Sequence, residues 1–175
     1  MTELDEELGP LLLAPLEYLE LRRRLRNALG FPTERRPLLI GIDGLDGSGK
    51  SSLAAWLSWQ LEMPAVSLDL FIVPDSSPLA FQTEHLAAVV NARSTTERPL
   101  IVEGVLLLDA LDAIGRRPDM LIFVERDGNG STMPQHVAPY IERQQPRARA
   151  SHVLTWSSAE HDRRVTLAHL RSRTD

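Results

Sequence analysis

Apolar residues in this chain fall into short runs that alternate with longer amphipathic stretches. A run of four to seven apolar residues bounded by turn residues is typical of a buried strand, whereas apolar positions three and four apart indicate a helix. The runs predict five strands, at Pro37–Asp43, Ala65–Asp69, Leu100–Glu103, Met120–Val124 and Ser151–Thr155.

The amphipathic stretches predict helices before, between and after these strands. The predicted helices cover Pro15–Leu29, Lys50–Leu61, Leu79–Ala92, Val105–Ile114, His136–Gln144 and Ser158–Arg171, the last with Ser157 as its N-cap. Because strand and helix alternate five times, the expected fold class is α/β, with a parallel sheet covered on both faces. We expect residues 37–175 to form one domain and residues 1–36 to be a helical extension packed on it.

Composition narrows the class of protein further. The net charge of −5 and the pI near 5.5 favour neither nucleic acid nor an anionic membrane as a partner. The start Met1–Glu7 is acidic where a signal peptide is basic, and Leu11–Leu13 is too short for a membrane span, so we expect a cytoplasmic protein. No cysteine is present and the five histidines form no metal-binding pair, so we expect no transition metal.

The chain carries eighteen arginines but one lysine, and that lysine stands in a glycine-rich segment. The segment Gly44–Ser51 matches the spacing G-x-x-x-x-G-K-[ST], lies after a predicted strand and opens a predicted helix. Such a loop turns backbone N–H groups toward phosphates, its lysine reaches the β- and γ-phosphates, and its serine hydroxyl can ligate Mg²⁺. The predicted nucleotide-binding residues are Gly44, Asp46, Gly47, Ser48, Gly49, Lys50, Ser51 and Ser52.

Three acidic residues follow the first three strands, at the sheet edge where the loop also lies. Glu103 is a candidate for holding Mg²⁺ or its water together with Ser51, or for capping the next helix. Asp69 lies where an acceptor hydroxyl would sit, or is an exposed turn acid. Asp43 either supports the metal site or has a structural role, and Asp46 of the loop could face the acceptor.

With these residues in place, the chain resembles a group of P-loop kinases that includes uridine kinase, phosphoribulokinase and pantothenate kinase-like proteins. The likeness covers about residues 38–156. It is carried by the opening strand and loop Ile40–Ser51, by the D-x-F segment in Ser67–Phe71 and by the E-G-[IV] segment in Val102–Val105. Two later segments add to it: the V-x-P helix at Val137–Tyr140 with Pro146, and the closing strand Ala150–Leu154. The resemblance implies a three-layer α/β/α fold with sheet order 2-3-1-4-5 and ATP with Mg²⁺. It also implies catalytic roles for Lys50, Glu103 and Asp69, with Asp69 as base toward a hydroxyl on a nucleoside, pantothenate or a phosphosugar.

The sequence departs from this group after the fourth strand. Members of the group carry a lid helix with several arginines there, but Glu125–Ser131 holds one arginine and leaves no room for a long lid. Ser151 also stands where the group tends to have aspartate. The arginines that could substitute for the lid are Arg126, Arg143, Arg147 and Arg149.

The leading hypothesis is therefore a kinase acting on a small-molecule hydroxyl, with two alternatives. One is an ATP-binding regulatory module that has lost its lid, and the other is a nucleoside monophosphate kinase, for which Arg93 and Arg98 are candidate ligands. Trp156 is a candidate for packing on adenine, and Phe71 and Phe81 are candidates for the acceptor wall. Trp56 and Trp59 are expected in the core. The apolar N-terminal helix is a candidate homodimer contact.

Overall fold

The computed structural model describes residues 16–126, 128 and 131–156. Its strands are β1 (Leu39–Gly44), β2 (Ala65–Ser67), β3 (Leu100–Glu103), β4 (Met120–Arg126) and β5 (His152–Trp156). Its α-helices are α1 (Leu16–Leu29), α2 (Lys50–Leu61), α3 (Thr83–Thr95), α4 (Leu107–Ala113), α5 (Pro134–Gln144) and α6 (Pro146–Arg149). The predicted helix Ser158–Arg171 and its N-cap Ser157 lie outside the described residues.

The five strands form one parallel sheet in the order β2-β3-β1-β4-β5. Ile42 pairs with Glu103, the last residue of β3, and Gly44, the last residue of β1, pairs with Val124 of β4, so the ends of the three central strands are staggered by two residues from one to the next. This arrangement confirms the predicted α/β fold class and sheet order. All parallel strands point the same way, so every loop that follows a strand meets at one edge.

Alternating strand residues feed two apolar cores, one on each face of the sheet. Ile40, Ile42 and Ile122 pack against α1 and α2 on one face. Leu100, Val102 and Leu121 pack against α3, α4 and α5 on the other. The sheet and the helices on its two faces thus form three layers, and this packing fixes the positions of the strand ends beneath the loops.

Helix α1 belongs to the first of these cores. Leu21, Leu25 and Leu29 are almost fully buried, and the ring of Tyr18 lies 5.4 Å from that of Trp56 on α2. The apolar side of α1 is thus covered by its own chain, so a homodimer contact through this helix would have to use its other side. The domain boundary at residue 36 and the homodimer stay predictions.

Three local predictions need correction. Strand β2 ends at Ser67, and Leu68–Phe71 forms a short 3₁₀ helix instead of continuing the strand. Helix α3 begins at Thr83 rather than Leu79, because an antiparallel bridge between Ile72 and Phe81 closes a loop before it. Trp59 is 74% exposed and lies outside the core, whereas Trp56 packs against it.

No helix within the described ranges is both long enough and apolar enough to cross a membrane.

Candidate functional site

The glycine-rich loop leaves β1 in a conformation that only glycine permits at its first position. Gly44 has φ +152°, and a Cβ there would lie 2.1 Å from the carbonyl oxygen of Val124 on β4. A side chain at this position would push the loop away from the sheet. The absence of one lets the backbone pass close to Val124 of β4 and then turn to start α2 at Lys50.

Lys50 closes this loop from the inside. Its side chain is 6% exposed, and Nζ donates a hydrogen bond to the carbonyl oxygen of Leu45 at 2.7 Å. Burial lowers the pKa of Lys50, while the negative charges of Glu103, Asp43, Asp46 and Asp69 act in the opposite direction. The structure thus brings the single lysine and all four predicted acidic residues into one electrostatic neighbourhood.

Two of these carboxylates differ sharply in exposure. Glu103 is 3% exposed and sits in register between Ile42 and Ser67, whereas Asp69 on the 3₁₀ helix is exposed. The Asp69 amide donates to the Ser67 hydroxyl at 3.3 Å, which holds the start of the 3₁₀ helix at the end of β2. One buried carboxylate and one solvent-facing carboxylate therefore act on the charge of Lys50.

Gly104 explains how these two carboxylates stay together. A Cβ at Gly104 would lie 2.6 Å from the Cβ of Leu68, which is completely buried at the start of the 3₁₀ helix. The chain after Glu103 can pack this tightly against Leu68 only because residue 104 has no side chain. The E-G pair therefore has a packing reason in addition to the chemistry of its acid.

Asp43 is bonded on both carboxylate oxygens. Oδ1 accepts from the Gly44 amide at 2.7 Å, and Oδ2 accepts from the Tyr140 hydroxyl, which itself accepts from the Leu108 amide at 3.2 Å. Burial raises the pKa of Asp43 to about 6, although its hydrogen bonds and Lys50 act to lower it. Burial and the nearby Asp43 also raise the pKa of Tyr140. Sequence reasoning noted the segment that contains Tyr140 but missed this role.

Asp46 connects the phosphate loop to the segment that stands in place of a lid. Its Oδ1 accepts from the Ser131 hydroxyl at 2.6 Å, and its Oδ2 accepts from the Thr132 amide at 2.7 Å and from the Thr132 hydroxyl. Slight burial acts to raise the pKa of Asp46, but these hydrogen bonds outweigh it and lower the pKa to about 2. The contact with residues 131 and 132 carried no signal in the sequence.

Arg143, Arg147 and Arg149, which were proposed to substitute for a lid, are engaged with protein acceptors. Arg143 forms an ion pair with Asp109, and Arg149 donates to Gln144. Arg147 binds Glu125 through two nitrogens, at 2.9 and 3.1 Å. Any of them would have to give up an acceptor to reach a phosphate.

Arg93 and Arg98, proposed as ligands of a second phosphate, lie at the wrong edge of the sheet. Arg93 donates to the carbonyl oxygen of Pro99, the residue before β3 begins, and Leu100 pairs with Leu39 at the start of β1. Both arginines line a cavity of about 580 Å³ at this edge. Helix α3 runs away from the phosphate loop, so residues at its C-terminal end lie at the opposite edge of the sheet, where the strands begin.

Comparison with known proteins bears on the fold. No family model and no curated protein matches the chain. A possible uridine kinase from Bacillus stearothermophilus matches 79% of this chain and 97% of its own, with 20% identity and a TM-score of 0.56. The chain has the fold of a P-loop kinase.

Two further solved structures match less closely. A sugar kinase from Janibacter matches 76% of this chain and 92% of its own, with 14% identity and a TM-score of 0.45. A shikimate kinase from Bacteroides thetaiotaomicron matches 78% and 98%, with 13% identity and a TM-score of 0.39. These scores are too low to define a subgroup, so the uridine kinase-like subgroup stays a prediction.

A cavity of about 620 Å³ opens beside the phosphate loop of this P-loop kinase fold. It is lined by loop, strand and helix residues, namely Leu45, Phe123, Glu125, Arg126, Gly128, Ile141, Gln145, Pro146, Arg147 and Ala148. Apolar walls with a few polar groups are typical of a site for a small organic ligand. Trp156 pairs with Arg126 through the backbone at the end of β5, but its side chain lies outside the described part of the structure.

The loop and its neighbours also provide oxygen ligands suited to magnesium. In nucleotide-bound Mg²⁺ sites the protein supplies one or two oxygens, while phosphates and water supply the others. Ser51 is exposed in the first turn of α2, and Glu103 ends the neighbouring strand, so this pair fits such a site. Ser52 is exposed beside Ser51, and Ser48 is fully buried within the loop. Among the described residues no group of three or more acidic or histidine side chains could hold a metal alone.

Proposed function

We propose that this protein is an ATP-dependent kinase that transfers the γ-phosphoryl group to a hydroxyl of a small molecule. The observation that carries the proposal is that Lys50, bonded within the phosphate loop, also lies in the electrostatic field of two carboxylates of opposite exposure, Glu103 and Asp69. A loop that binds phosphates needs no solvent-facing carboxylate beyond it, whereas phosphoryl transfer to a hydroxyl does.

The donor side follows from the loop. Backbone amides of residues 44–50 and the start of α2 bind the β- and γ-phosphates, and Lys50 exchanges the Leu45 carbonyl for phosphate oxygens. Ser51 and Glu103 would hold Mg²⁺, which neutralises charge on the phosphates when bound. The cavity beside Leu45 is of a size to take the nucleotide base.

The acceptor side follows from Asp69. The acceptor hydroxyl oxygen attacks the γ-phosphorus, its proton passes to the Asp69 carboxylate, and the bond to the β-phosphate oxygen breaks to release ADP. The exposed position of Asp69 leaves it open to a ligand approaching from solvent. Phe71 is buried and Phe81 is partly buried, so Phe81 is the better candidate for the acceptor wall.

One observation favours the alternative of an ATP-binding regulatory module. Arg143, Arg147 and Arg149 are engaged with protein groups, and charge clamping by arginine contributes roughly 10³–10⁵ to the rate in related chemistry. A nucleoside monophosphate kinase loses its support, since Arg93 and Arg98 lie at the opposite edge.

The experiment compares nucleotide binding with acceptor-stimulated ADP release. We expect Asp69→Asn to keep ATP affinity and to lower acceptor-stimulated turnover by about 10²–10⁴-fold, because the general base is lost. Asp75→Asn, an exposed acid in the following loop, is the matched control and should retain both properties. Lys50→Met should weaken ATP binding at least tenfold. Tight ATP binding without ADP release for any acceptor would favour the module, and full turnover by Asp69→Asn would contradict the assigned base.

A further inference from the structure

Asp69 lies within a long stretch of chain that contains no lysine or arginine. From Ser51 to Ala92 the sequence contains no lysine or arginine, and the structure describes every one of these residues. The charged side chains in this stretch are the acids Glu62, Asp69, Asp75 and Glu84. The stretch covers α2, β2, the 3₁₀ helix, the loop closed by Ile72 and Phe81, and most of α3.

The cations elsewhere in the described site are committed or remote. Lys50 is almost buried, bonded within the loop and surrounded by the fields of four carboxylates. Arg126 ends β4, which is three strand positions from β2 in the sheet, or roughly 14 Å at the usual strand spacing. Arg147 lines the same cavity as Arg126 and pairs with Glu125, and Arg143 pairs with Asp109 of α4.

Charge on the acceptor is therefore constrained. A phosphate or carboxylate group held beside Asp69 would face a carboxylate at close range, with no cation from residues 51–92 to offset it, and like charges at such distances disfavour binding strongly. A neutral hydroxyl compound avoids this repulsion, and an ammonium group is attracted. Leu70, next to Asp69 and 74% exposed, adds an apolar surface on which one face of a ring can pack.

We propose that the acceptor is a hydroxyl compound without a negative charge, either neutral or carrying an amine, and that phosphorylated and carboxylated acceptors are rejected. The proposal rests on the kinase function above and specifies its substrate class. It separates possibilities that the fold leaves open, since a phosphosugar and pantothenate are anionic whereas a nucleoside is not.

Matched acceptors that differ in charge test the proposal with the full-length protein. The panel pairs panthenol with pantothenate, cytidine with cytidine monophosphate, and glucose with glucose 6-phosphate and glucosamine. Acceptor-stimulated ADP formation with Mg-ATP gives kcat/KM, and calorimetry with a non-hydrolysable ATP analogue gives affinity. Wherever the neutral member of a set is phosphorylated, we expect kcat/KM for the anionic member to be lower by on the order of 100-fold. We expect kcat/KM for glucosamine to be equal to or higher than that for glucose.

A charge reversal at the wall makes the test sharper. Leu70→Arg places a cation next to Asp69 at an exposed position and should improve the anionic member relative to its neutral partner by at least about tenfold. Trp59→Arg, at an equally exposed position near the end of α2, is the matched control and should leave the preference unchanged.

The outcomes distinguish the two levels of the hypothesis. Preference for an anionic member in the unmodified protein, in turnover or in affinity, would overturn the charge rule while leaving the kinase function intact. An unchanged preference in Leu70→Arg would show that the charge of this wall does not select the acceptor. ATP binding with no response to any member of the panel would overturn the kinase function and the charge rule together.

Discussion

Asp43 offers a quantitative test of the buried network beneath the phosphate loop. The substitution Asp43→Asn keeps the shape of the side chain and removes its titration. Asparagine can still accept the hydrogen bond of the Gly44 amide, and the Tyr140 hydroxyl can rotate to accept from the new amide group. The variant should therefore fold, so that its stability can be compared with the wild type over a range of pH.

The magnitude follows from the pKa. The pKa of Asp43 is raised from 3.8 to about 6 in the folded protein, mainly by burial, and this difference corresponds to roughly 3 kcal/mol. Between these two values the folded protein holds a proton that the unfolded chain has released. The stabilising contribution of the protonated group is therefore complete below about pH 4 and is lost as the pH rises through about 6.

Urea denaturation between pH 4 and pH 7 measures this effect. We expect the free energy of unfolding of Asp43→Asn to rise relative to wild type by roughly 2 kcal/mol across the range, because the variant escapes the cost of ionising Asp43. Asp75→Asn, at an exposed turn position with φ +56° that asparagine tolerates, should show no such change. A constant difference between Asp43→Asn and wild type over the whole range would refute the reasoning.

Two further substitutions test the packing and bonding around the site. Gly104→Ala should lower the free energy of unfolding by about 2–3 kcal/mol, because the new Cβ would meet Leu68 at 2.6 Å. Gly115 also has a positive φ but has open space around it, so Gly115→Ala should lower the free energy of unfolding by less in the same denaturation assay. Asp46→Ala should raise the hydrogen-exchange rate of the Thr132 amide at least tenfold, because that amide loses its acceptor, and an unchanged rate would mean that the segment is held without Asp46.

The fold and the phosphate loop could be predicted because their signals are local. Apolar runs such as Leu100–Glu103 define buried strands without reference to any distant residue, and the loop motif fixes the order strand, loop, helix within a dozen positions. The sheet order came from the resemblance, which rests on the same local segments. Local patterns failed where a helix has apolar residues all around it, as with Trp59 on α2, because periodicity then no longer marks the buried side.

The bonding partners of the site could not be predicted, because they join distant parts of the chain. Tyr140 lies 97 residues from Asp43, and Thr132 lies 86 residues from Asp46. Neither pair leaves a spacing pattern in the sequence. The edge at which Arg93 lies depends on the direction of α3, which carries the start and the end of this helix to opposite edges of the sheet.

These long-range bonds change how the shortened segment after β4 should be understood. Asp43, just before the loop, holds α5 through Tyr140, and Asp46, within the loop, holds residues 131 and 132. The phosphate loop is thus tied to residues 131 and 132 at the end of this segment, and the residue just before the loop is tied to the helix that follows it. Fixed groups contribute to phosphoryl transfer by positioning, whereas a lid adds charge and excludes water. Under the proposed kinase function, a braced loop whose neighbours Arg143, Arg147 and Arg149 are engaged elsewhere should hold ATP well and depend on the acceptor itself to displace water from Asp69. Acceptor-stimulated ADP release is therefore the property that decides the function.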